Sequence, residues 1–153
     1  MYTTIVVGTD GSEGAQVAVD AAAELARLSG GTLHLVSVGR PLPLGGIAGD
    51  PLSAAMLPAI PEEAIKEELD AVLTQASAAA RAAGVSIKTH AMLGAPAEAL
   101  CSLAEDLKAD VLVVGNRGMH GARRFLGSVP NSIVHHAPCT VLLVETSHPH
   151  EEE

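Results

Sequence analysis

Aromatic side chains are almost absent: the chain has one tyrosine, one phenylalanine and no tryptophan. A β-sandwich core stacked with rings is therefore excluded, and the interior must be built from Val, Leu, Ile, Ala and Met. Aliphatic strands covered by alanine-rich helices suit that composition, which makes the fold α/β. Cysteine is scarce as well. Cys101 and Cys139 lack the C-x-x-C spacing of zinc and redox motifs, so they read as reduced core residues and are assigned no chemistry. No apolar run reaches the roughly 18 residues a membrane helix needs. The opening MYTTIVVGTDGS carries no charged leader and no cleavage site ahead of its first strand, and a cytoplasmic location is expected. Basic residues number 9 against 18 acidic ones, a net charge of -9. A surface of that sign repels nucleic acid and anionic membrane, and neither is expected as a partner.

What is present alternates regularly. TIVVG at 4–8 is a short apolar run ending in glycine, as in a strand buried on both faces. Ser12 suits an N-cap for a helix over 13–29, with Val17, Ala21, Leu25 and Leu28 at helical spacing and Gly30-Gly31 as its stop. Further strands are expected at 32–38, 85–93, 109–115 and 140–145, and further helices at 62–83, 95–108 and 126–137. The second helix has Ile65, Leu69, Val72 and Leu73 as its buried stripe. Between 39 and 61 five prolines and four glycines block regular structure; this connection is either a functional loop or a surface insertion. Strands alternating with helices imply right-handed crossovers and a doubly wound, Rossmann-like parallel sheet with helices on both faces. With 153 residues we expect a single domain over 1–146. The tail 147–153, SHPHEEE, has nothing apolar to bury and is expected to be disordered.

In a doubly wound sheet, ligands collect beyond the carboxyl ends of the strands. Those ends carry Gly8-Thr9-Asp10-Gly11-Ser12, Val38-Gly39-Arg40, Leu93-Gly94-Ala95-Pro96 and Gly115-Asn116-Arg117-Gly118. The last of them opens the only stretch where positive charge gathers, with Arg117, Arg123 and Arg124. Gly115, Gly118 and Gly121 allow close backbone approach, and Gly127-Ser128-Val129 opens a helix whose amides attract anions. Together they read as a phosphate cradle, in which Ser128 either caps the helix or donates to a phosphate oxygen. Asp10 would repel pyrophosphate but could accept hydrogen bonds from ribose hydroxyls or an adenine amine; the competing reading makes it only the turn former of TDGS.

The pattern G-x2-G-x8-G-S, formed by Gly115, Gly118, Gly127 and Ser128 and followed by VPNSIVHHAPCTVLLV, resembles the universal stress protein family. IVVGTDGS, GAPAEAL and APCTVLLV fit as well, so the resemblance covers nearly the whole chain. It implies a sheet ordered 3-2-1-4-5, a homodimer through the last strand, Thr140 to Glu145, and ATP at the ends of strands one and four. Asp10 would meet adenine and ribose, with Thr9 beside it, and the Val38 backbone would border the base. Gly115, Asn116, Arg117 and Gly118 would approach ribose and phosphates, and Gly127, Ser128 and Val129 would hold the phosphates, while Gly8 and Gly94 would line the rim. AMP and cyclic AMP are the other ligands of this class, and magnesium is a candidate companion. The chain departs from the family in one respect: eight residues, MHGARRFL, separate the second and third glycines where nine are usual.

No GxxxxGK[ST] and no SGGxDS occurs, which excludes a P-loop NTPase and an ATP pyrophosphatase of similar topology. His120 is a lone loop histidine, and His135 and His136, about 100° apart on a helix, are poorly arranged to chelate one metal. The expectation is a nucleotide-binding sensor or regulator with at most slow hydrolysis, acting on a protein partner the residues do not identify. The competing reading is a dimeric interaction module of the same fold that uses no nucleotide.

Overall fold

The computed structural model describes residues 1–40, 60–116 and 126–146. Its elements are β1 (Thr4–Gly8), α1 (Glu13–Ser29), β2 (Thr32–Gly39), α2 (Glu62–Ala82), β3 (Ser86–Leu93), α3 (Pro96–Asp106), β4 (Val111–Gly115), α4 (Ser128–His136) and β5 (Thr140–Val144). All strand pairs are parallel and the order is β3-β2-β1-β4-β5, as expected.

The sheet has a helical layer on each face, and the period of two along each strand sends alternate residues into the two layers. Ile5, Val7, Leu33, Leu35, Val111 and Val113 pack with Ala18, Val19, Ala22 and Ala26 of α1 and with Leu73, Ala76 and Ala80 of α2. Val6, Val36, Leu112 and Val114 face the other way, onto Leu100 and Ala104 of α3 and Ile133 of α4. The central strands β1 and β4 are therefore buried on both sides, which is why they read as unbroken aliphatic runs.

The helices correct the sequence reading in detail. The buried stripe of α1 is Ala18, Val19, Ala22 and Ala26, one position away from the expected Val17, Ala21, Leu25 and Leu28, and Leu28 is 69% exposed. The strands' branched side chains fill this layer, so the helix contributes mainly alanines and approaches closely. In α2 the stripe is Leu69, Leu73, Ala76, Ser77 and Ala80, with Ile65 and Val72 only half-buried. Ser12 caps α1 as expected, its hydroxyl accepting from the Ala15 amide at 3.1 Å, and Gly30 ends the helix at φ 69°.

At the amino end of the sheet, one Asp110 carboxylate oxygen accepts from the Thr3 amide, the Thr3 hydroxyl and the Thr4 amide, each at 2.9 Å. These bonds hold its carboxyl below the usual range and tie the start of β1 to the turn before β4, which begins at Val111 rather than Ala109. The last strand ends at Val144, leaving Glu145 outside it. Residues 41–59 of the Pro/Gly-rich connection, residues 117–125 of the glycine segment and the tail 147–153 lie outside the described residues. Among the described residues no helix is long and apolar enough to cross a membrane.

Candidate functional site

The crossovers through α1 and α2 run over one face of the sheet, whereas α3 and α4 lie on the other. The change of side falls between β1 and β4, which are neighbours in register, with Val7 opposite Val113. This is the switch point of the sheet, and its carboxyl rim brings Gly8, Thr9 and Asp10 beside Gly115 and Asn116. Val38 stands at the end of the adjacent β2, and Gly94 follows β3, its amide donating to the Gly39 carbonyl at 3.0 Å. Because α4 runs antiparallel to the strands, its first residues, Gly127, Ser128 and Val129, face the same rim. Arg117, Gly118, Gly121, Arg123 and Arg124 lie outside the described residues.

Local chemistry settles what several of these residues do within the protein. Asp10 forms the turn: its Oδ1 accepts from the Ser12 amide at 3.0 Å, while the buried Thr9 hydroxyl accepts from the Gly11 amide at 3.1 Å. Gly11 takes φ +81°, a left-handed conformation that favours glycine. Gly8 has a packing reason of its own, since a Cβ there would stand 3.0 Å from Leu100 Cδ1. At Gly115 a Cβ would meet Thr146 Cγ2 at 2.8 Å. Gly94 lies in open space but at φ +139°, so backbone conformation and not crowding selects glycine there.

At the start of α4 the N-cap is Gly127, at φ -57° and ψ 162°, with no side-chain capping bond. Ser128 is the first helical residue, so the capping role expected of it is not the one it takes. First-turn amides have no intrahelical acceptor, and Pro130 supplies no amide, so the N–H groups of Ser128 and Val129 are the donors this helix end can offer an anion. Asn116 is occupied internally, its Oδ1 accepting from the Thr146 amide at 3.0 Å and the Thr146 hydroxyl at 2.9 Å. Sequence reading missed both Thr146 and Leu100, because nothing local marks either as a partner of a glycine turn. An open cleft of about 500 Å³ between α3 and α4, lined by Glu98, Cys101, Glu105 and His136 among others, includes none of the rim residues.

The model of the universal stress protein family matches residues 1–145. The chain belongs to the universal stress protein family. One relative, universal stress protein Rv1636 of Mycobacterium tuberculosis, is 38% identical over 95% of this chain and 98% of its own length. Among solved structures, a universal stress protein in complex with cAMP is 36% identical with a TM-score of 0.72, covering 95% of this chain and 98% of that one. The universal stress protein from Archaeoglobus fulgidus in complex with dAMP is 26% identical with a TM-score of 0.66, covering 94% and 98%. The five parallel strands in this order, with helices on both faces, are thus those of a universal stress protein fold, in agreement with the resemblance carried by the glycine pattern.

Proposed function

We propose that this member of the universal stress protein family binds an adenine nucleotide at the carboxyl ends of β1 and β4 and works as a homodimeric sensor or regulator in the cytoplasm. The observation that carries the reading is the meeting, at the switch point, of a carboxylate turn at Asp10 with a helix start whose amides have no side-chain cap. The first suits the adenosine end of a ligand and the second suits phosphates, with Arg117, Gly118, Gly121, Arg123 and Arg124 in the connecting segment adding charge and close approach. Two similar proteins solved with cAMP and with dAMP support an adenine ligand. ATP is the proposed ligand, with magnesium as companion to its phosphates; no general base accompanies the glycine segment, so hydrolysis is at most slow. Cyclic AMP is the second reading, favoured by the cAMP-bound protein at 36% identity and by the glycine segment one residue shorter than usual.

Small molecules released by denaturing the purified protein, identified by mass spectrometry, separate ATP, AMP and cyclic AMP at once. Melting in the presence of each ligand then ranks them. A ligand that binds only the folded state at a hundred times its Kd adds about 2.7 kcal/mol, so the melting temperature should rise with ATP. No shift with millimolar ATP, AMP or cyclic AMP, with and without magnesium, would replace this reading by the interaction module.

A further inference from the structure

The geometry points to Asn116 and Thr146 as a positioning pair that fixes the end of β4 at the rim, a role that rests on the nucleotide-binding reading above. Asn116 stands in the rim where a ligand contact is expected, yet its carboxamide oxygen is taken by two donors from one residue, the Thr146 amide at 3.0 Å and hydroxyl at 2.9 Å. A backbone amide can only donate, so the Asn116 atom facing it is the carbonyl oxygen. The Asn116 amide in turn donates to the Val144 carbonyl at 2.9 Å. Backbone and side chain of this residue are thus both tied to the exit of β5, one step beyond the last paired residues, Gly115 and Val144.

Thr146 is itself wedged in place. It is 9% exposed, which leaves little of it for a ligand to touch. Its Cγ2 lies 2.8 Å from where a Cβ on Gly115 would stand, and its Cβ lies 3.6 Å from the same point on Gly14. Glycine at 115 therefore makes room for Thr146, while Gly14 brings the first turn of α1 against it. Three elements, β4, β5 and α1, meet on one threonine, and the product of that meeting is a fixed Asn116 immediately before residue 117. Holding the end of β4 fixed at the rim lowers the entropy lost when ligand binds there, so loosening the pair should weaken affinity without removing any contact to the ligand.

The test is a double-mutant cycle on nucleotide affinity, measured by calorimetry with ATP, AMP and cyclic AMP on the full chain. Thr146→Val keeps the shape and the backbone bond but removes the hydroxyl, and affinity should fall about threefold; Asn116→Ala removes both bonds and should cost about tenfold. Thr146→Ser, which restores a hydroxyl donor, should recover wild-type affinity. The double variant Asn116→Ala/Thr146→Val should bind no worse than Asn116→Ala alone, because the two act as one unit. Circular dichroism checks that each variant is folded. Wild-type binding with an unchanged Thr146→Val affinity, or losses that add in the double variant, would overturn the pair and return Asn116 to direct ligand contact. A wild-type protein that binds none of the three nucleotides overturns the functional reading itself, and the positioning role falls with it.

Discussion

At the residue scale, the glycines of the rim divide by physical cause, and the division yields a prediction. Gly8 and Gly115 face side chains inside the protein, Leu100 and Thr146, and Gly11 and Gly94 occupy left-handed backbone. At Gly127 the backbone does not demand glycine, for φ -57° and ψ 162° are open to any residue. Contact with phosphate is the role proposed for glycine there. Gly127→Ala should cost only a few tenths of a kcal/mol in stability as a poorer N-cap, while ATP affinity falls about tenfold, or about 1.4 kcal/mol. Adenosine, lacking phosphates, should hardly notice the change. Asp10→Ala should instead weaken ATP, AMP and adenosine by similar factors, since all three share the adenosine end it is proposed to hold. Titrating the three ligands against both variants checks the orientation; an Asp10 loss that grows with phosphate number means the nucleotide lies the other way round.

At the scale of elements, the β2–β3 pairing creates a feature no local pattern announces. His34 and His90, 56 residues apart in sequence, sit on one face of neighbouring strands, their Nδ1 and Nε2 atoms sharing one proton across 2.9 Å with the rings stacked. His34 is 5% exposed. Burial holds both imidazoles below the ordinary histidine range, and the nearby Lys88 charge adds to it, with His90 acting on His34 as well. The sign follows. A histidine whose folded pKa is depressed binds fewer protons folded than unfolded between that value and about 6.5, so stability falls as pH drops through this window. Urea midpoints should decline from pH 7.5 towards 5.5, and the double variant His34→Gln/His90→Gln should decline less. Parallel pH profiles would assign the decline to other groups.

The same scale shows why the sequence was legible in part. Strands buried on both faces have to be aliphatic runs, so β1, β2 and β4 and a parallel sheet could be read directly, the strand order followed from the family resemblance, and the Ser12 cap and Gly30 stop bounded α1. The stripe of α1 was misread by one position because alanine is apolar enough to be buried yet too small to stand out in a periodic pattern. That Gly8, Thr9 and Asp10 share one end of the sheet with Gly115 and Asn116 could be read as well, since it follows from topology. What individual rim residues do was not legible: Thr146 lies 30 residues beyond Asn116, and only the closing of the sheet shows that Asn116 and Gly115 serve it.

For the whole molecule, the unbalanced surface decides how copies of the chain should meet. β5 is an edge strand of the sheet, and its Leu142 and Leu143, which alternate between the two faces, are 40% and 45% exposed, with Val134 of α4 at 50%. An edge strand flanked by exposed leucines invites pairing with another strand, and a two-fold pairing of β5 with its copy covers both edges together. Each copy carries a net charge of -9, so the two repel at long range while the apolar edge attracts at contact. Salt screens the first and leaves the second nearly untouched, the Debye length being about 8 Å at physiological ionic strength. A dimer built this way should therefore tighten as salt is raised from about 20 to 300 mM, whereas an interface held by ion pairs would loosen. Sedimentation across that range reads the sign. Leu142→Lys/Leu143→Lys should give a folded monomer at every salt concentration; a dimer that survives the double substitution, or one that weakens with salt, would place the contact on another face of the molecule.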